Sequence, residues 1–121
     1  LAIDFNTNAV INAVINAVKT QAGQGFSTIS NLVSTQAKMM AHQAAFIAES
    51  SAVGALKDDP DLKQMFVDQL AGSVRGLAHT VAALTILTVE KVWNAVVKVL
   101  WQAINQALSS AGGGLLVLPA L

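Results

Sequence analysis

The side chains able to do chemistry are few and scattered. His42 and His79 are the only histidines of the 121 residues. Neither sits in a metal-binding pair such as His-Glu-x-x-His, and neither has a carboxylate near it in sequence to share a proton. His42 falls beside Met39, Met40 and Phe46, and His79 within the Leu77–Leu84 apolar seam. Both therefore read as satisfied core or interface residues, with a pH-dependent assembly switch as the functional alternative. Asp58, Asp59 and Asp61 bring three acids into four residues. Their spacing does not supply the ligands of a calcium loop. It does suit a helix start, with Asp59 as N-cap, Pro60 in the first helical position and Asp61 at the positive end of the dipole. Gly112-Gly113-Gly114 follows a helical segment and lacks the strand and lysine of a phosphate loop. With no cysteine there is no thiolate ligand, nucleophile or disulfide. No catalytic, cofactor-binding or metal-binding residue is assigned, and no enzyme is expected.

The elements that would position these residues are helices. Leu62–Leu108 reads as one long helix. Val67, Leu70, Val74, Leu77, Val81 and Leu84 recur at spacings of three and four, the seam of one helix packing on another. Past Thr88 the apolar surface widens to two stripes: Val89, Val92, Val96 and Val99 in one, and Trp93, Val97, Leu100, Trp101 and Ile104 beside it. A single partner helix cannot cover both, so copies of the chain or lipid are expected to do so. The tryptophans read first as packing residues, and otherwise as a ligand stack or an anchor at a lipid surface.

Upstream, Leu1–Thr7 offers Asp4, Asn6 and Thr7 as caps. A small repeat follows, Asn8-Ala9-Val10-Ile11, Asn12-Ala13-Val14-Ile15, Asn16-Ala17-Val18. On a helix this four-residue period drifts by about 40° per copy, giving a slanting asparagine ridge beside a Val/Ile ridge. Gly23 and Gly25 mark a break. Phe26–Val53 resumes as helix, with Phe26, Val33, Met40 and Ile47 alternating with Ser30, Ala37, Ala44 and Ser51, large against small, which lets an antiparallel partner approach closely. Gly54–Asp61 is the clearest boundary. After Leu108, residues 109–114 form a glycine hinge, and the apolar tail Leu115–Leu121 is expected to dock either on its own hairpin or in a groove of a neighbouring subunit.

The composition is 54% hydrophobic and only 12% charged, with zero net charge. Soluble domains carry about a quarter charged residues, so much of the surface is not expected to face water in a lone chain. Neutrality removes the electrostatic case for nucleic acid. No uncharged apolar run reaches the ~18–20 residues of a membrane span; the nearest is Gly76–Val89. The composition is similar to that of small self-assembling bacterial proteins, such as subunits of R-bodies and of secreted helical filaments. That resemblance covers no motif and assigns no residue.

The expectation is thus a single all-α domain over residues 1–121: a long antiparallel helical hairpin whose first arm, Asn8–Val53, is broken near Gly23–Gly25. Its second arm, Leu62–Leu108, completes the hairpin, and the whole packs into a higher-order helical assembly. Each arm would span roughly 65–70 Å. A compact four-segment bundle with Gly23–Gly25 as a true corner is the alternative. The expected function is that of a non-enzymatic structural subunit forming a homo-oligomer such as a filament or tube. Val89, Val92, Trp93, Val97, Leu100, Trp101, Ile104, Leu115, Leu116 and Leu118 would form the assembly interface. The second expectation is a membrane-active protein, a pore former or lipid-surface binder, using the same face. No cofactor is expected. The partners are further copies of the chain, with lipid as the alternative. A start at Leu1 rather than Met suggests processing and an extracellular or cell-surface location, with polyprotein cleavage and expression design as other origins.

Overall fold

Three of the four helices begin where a side chain satisfies one of the first free amides, and the fourth follows a glycine corner. In the computed structural model, which describes residues 5–111 and 114–121, Asn6 Oδ1 accepts the Ala9 N–H at 3.0 Å and opens helix α1, Thr7–Ala22. The Asp4 cap candidate and the hinge residues Gly112 and Gly113 lie outside the described residues. On α1 the repeat behaves as its period dictates: Val10, Val14 and Val18 are buried, Ile11 and Ile15 are half-buried, and Asn8, Asn12 and Asn16 face outward.

Gly23–Gly25 forms a short 3₁₀ turn and a true corner. Gly23 has φ +57°, a left-handed conformation that glycine adopts without penalty. Helix α2, Phe26–Val53, follows and packs back along α1. It buries Val33, Ala37, Met40, Ala44, Ile47 and Ser51, the alternation of large and small residues the sequence lays out. Gly54 ends α2 by donating its N–H to Ser50 O at 3.0 Å. A Cβ at Gly54 would stand 2.9 Å from the Ser50 Cα, so only glycine closes this turn without displacement. Leu56, 1% exposed, plugs the loop. Helix α3, Pro60–Leu84, then starts on the Asp59 cap, whose carboxylate accepts the Leu62 N–H at 3.0 Å, with Asp61 in the first turn.

The expected single helix Leu62–Leu108 is instead two. Thr85 ends α3, and its hydroxyl donates to Val81 O at 2.7 Å and accepts the Leu87 N–H at 3.1 Å. Thr88 then accepts the Lys91 N–H through its hydroxyl at 3.2 Å and caps helix α4, Val89–Ser110, which carries Glu90 in its first turn. Two threonines that bond locally to the backbone thus outweigh the continuity of the apolar pattern. The hairpin therefore exists with both arms folded in half. The longest helix, α2, has 28 residues and is about 42 Å long, well short of the expected 65–70 Å arm.

All four helices form one bundle around one core. α1 packs on α2 and α4, α3 packs on α2 and α4, and α2 packs on α4, while α1 and α3 make no close approach. In cross-section the bundle is a rhombus with α2 and α4 across the short diagonal. Short connections make sequential neighbours antiparallel. The Gly23–Gly25 corner and the Thr85–Ile86 corner meet at one end, with Ala22, Thr28 and Leu84 around the same hollow.

Candidate interaction surface

The two apolar faces of α4 follow from its place on the short diagonal, where three helices surround it. Val92, Trp93, Val97, Leu100, Trp101 and Ile104 are all buried within the chain's own core, and Val89 is half-buried. This corrects the expectation that they form an inter-subunit core. α1, α2 and α3 cover both stripes, and no face of α4 needs a second copy to leave water. Trp101 is fully buried, with its indole N–H lacking a hydrogen-bond partner.

The other half of the expected interface lies on the surface. After Gly114 the tail runs without helix or strand, held by its backbone. Asn105 grips Leu116 on both sides: its Nδ2 donates to Leu116 O at 2.9 Å and its Oδ1 accepts the Leu116 N–H at 2.7 Å. Further along, Arg75 Nη2 donates to Ala120 O at 3.3 Å, and the same guanidinium lies 5.0 Å from the centroid of the Trp93 ring. Only Leu116 and Pro119 turn partly inward. Leu115, Leu118 and Leu121 are more than half exposed, and Val117 is 88% exposed. Leu115 and Leu118 overhang a hollow of about 590 Å³ that is floored by Lys98, Gln102 and Asn105.

A second unpartnered surface is the outer groove between α2 and α3. Its larger part, about 410 Å³, is lined by Met39, Gln43 and Phe46 on α2 and by Phe66 and Gln69 on α3. Phe46 and Phe66 meet with ring centroids 4.9 Å apart and tilted planes. The Gln43 Oε1 is buried there without a donor. Toward the other end the groove continues past Leu32 and Gln36 against Ser73, Gly76 and Thr80. At the tip of the bundle Ile86 is 99% exposed beside Leu84.

Both histidines lie on the surface, His42 at the edge of the α2/α3 groove, and not in the core or seam position the sequence suggests. Their neighbours in sequence are apolar, but each points away from its helix's buried face. Among the described residues no three His, Asp or Glu side chains come together. Asp58, Asp59 and Asp61 are exposed at the α2–α3 turn, with Asp59 occupied as a cap. Sequence reasoning missed Asn105, Arg75, Thr85 and Thr88. The signal for Asn105 is its polar amide on a half-buried stretch of α4; for Thr88 it is a hydroxyl three residues before a first-turn amide, and for Thr85 a hydroxyl two residues before the Leu87 amide it receives. Comparison with family models, with curated proteins and with solved structures finds no match.

Proposed function

We propose that this chain is a non-enzymatic structural subunit that assembles with copies of itself, through surfaces other than the face of α4. The observation that carries this reading is the tail. Seven residues, Leu115–Leu121, are fastened by backbone carbonyls and one amide while Leu115, Val117, Leu118 and Leu121 point outward. Leaving a large aliphatic side chain in water forgoes roughly 1.5–3 kcal/mol relative to burying it. A displayed apolar strip on a chain with 12% charged residues is suited to a protein partner.

The test is the mass and shape of the purified chain in detergent-free buffer, by light scattering with negative-stain electron microscopy. Particles far above 12.5 kDa with a regular repeat are expected. A monomer at every concentration would sink the proposal. A second reading, contact with a lipid surface, is favoured by Ile86 and Leu84 exposed together at one tip. No helix among the described residues is long and apolar enough to cross a membrane, so this contact would be interfacial. Vesicle co-sedimentation that is lost in Ile86→Ser, with solution size unchanged, would select it.

A further inference from the structure

We infer that the α2/α3 groove is the receptor for the Leu115–Leu121 tail of a second copy, so that subunits join head to tail. The inference rests on the self-assembly reading and names the two surfaces that carry it. The groove floor advances in steps of three and four, from Leu32 to Phe46 on α2 and from Phe66 to Thr80 on α3. The fourteen helical steps from Leu32 to Phe46 make a slot of roughly 21 Å. The seven residues Leu115–Leu121, drawn out as a strand, would span roughly 23 Å. The lengths match.

The chemistry matches as well. An extended segment needs partners for its backbone groups as well as cover for its side chains. The chain already shows how it supplies them: an amide side chain, Asn105, takes both the N–H and the C=O of Leu116. The α2/α3 groove presents the same group in Gln36, Gln43 and Gln69. Gln43 is the telling one, because its Oε1 is buried with no donor, an arrangement relieved when the amide turns to meet an incoming backbone N–H. Between the amides, Met39, Phe46 and Phe66 offer apolar cover for aliphatic side chains. Ser73 and Gly76 keep the slot open beside them.

Arg75, which holds the tail, is on the opposite flank of α3 from Ser73, Gly76 and Thr80. Donor strip and receptor groove are therefore different patches, and the contact is heterologous. Such contacts propagate into a ring or a filament, according to whether the rotation closes.

This asymmetry gives a decisive experiment. The tail variant Val117→Asp with Leu118→Asp and the groove variant Met39→Asp all alter exposed side chains. Each variant alone should run as a monomer by light scattering, with helical circular dichroism retained. Mixed in equal amounts, they should form a species of two chains and nothing larger, because one intact tail meets one intact groove. A labelled Leu115–Leu121 peptide should also bind the tail variant, whose groove is intact, which removes dependence on how Met39→Asp folds. If the wild type is large and both variants stay equally large, or the mixture remains monomeric, the groove–tail contact is overturned and self-assembly stands. Failure of the peptide to bind overturns it too. A monomeric wild type overturns both readings, including the case in which the tail fills its own groove.

Discussion

Helix α4 and the tail that follows it are both rich in large aliphatic residues, and they meet opposite fates. Val92, Val96, Leu100, Ile104 and Leu108 lie fully buried, whereas Val117 and Leu118 are exposed. The difference is one of neighbours. A helix on the short diagonal of a four-helix bundle is enclosed by three others, so apolar residues around much of its circumference are an intramolecular requirement. The tail lies outside that enclosure and touches its own chain chiefly through main-chain groups. Apolar content alone thus does not mark an interface; what matters is whether the chain itself has anything left to cover it.

The sharpest way to break this contrast is Trp101→Ala. Trp101 is fully buried, and truncation of such a side chain costs about 3–5 kcal/mol through lost burial and a residual cavity. Against a typical domain stability of about 5–15 kcal/mol this is a large share. Urea denaturation at low protein concentration should show it as a lower midpoint. The tail pair Val117→Asp with Leu118→Asp should shift the same midpoint by less than about 0.5 kcal/mol. A Trp101→Ala chain as stable as the wild type but smaller in mass would return the tryptophan to the interface. Trp101→Phe should fall between the two, since it removes an unpaired buried N–H along with some volume.

A smaller effect comes from Asn105→Ala, which removes both hydrogen bonds to Leu116. With a net contribution of about 0.5–1.5 kcal/mol for each bond, the tail should detach before the bundle unfolds. Hydrogen exchange at the Leu116 amide checks this: its protection should vanish while that of α4 persists. If protection at Leu116 is unchanged, something other than Asn105 holds the tail.

Much of the fold is legible from local chemistry. Phe26–Val53 appears in the sequence with the boundaries the structure has, because Gly25 and Gly54 punctuate it. The Asp59-Pro60-Asp61 start is equally plain, since capping is decided by neighbours in sequence. The break at Thr85–Thr88 is harder to read because apolar residues run through it: Leu84, Ile86, Leu87 and Val89 leave no polar run while the threonine hydroxyls end the helix. That one misplaced break has a long reach. A straight arm leaves the second stripe of α4 uncovered, whereas a folded arm brings α1 and α2 onto it. The candidate surface suffers most, for the identity of the exposed residues depends on which helices are neighbours. Thr88→Ala should lower stability by about 1 kcal/mol, the usual worth of an N-cap, with thermal denaturation as the readout.

The smallest predicted effect links the two regions being compared. Arg75 covers the buried Trp93 ring with its guanidinium and reaches the tail at Ala120 O. A cation–π contact at an exposed site contributes about 0.5–1 kcal/mol, and the solvated hydrogen bond adds little. Arg75→Gln keeps a donor able to reach a carbonyl but removes the charge over the ring, whereas Arg75→Leu keeps apolar cover but removes the donor. If the guanidinium serves mainly the core, Arg75→Leu should stay close to wild-type stability, and the Trp93 fluorescence should change in both variants. If it serves mainly the tail, the carbonyl carbon resonance of Ala120 should shift in Arg75→Leu and hold its place in Arg75→Gln. Because Arg75 touches both the enclosed face of α4 and the displayed strip, the pattern across the two variants shows whether the regions are energetically separate. Separation is the expected result: a tail fastened by a few solvent-facing bonds can be drawn away by a partner without loosening the core beneath it.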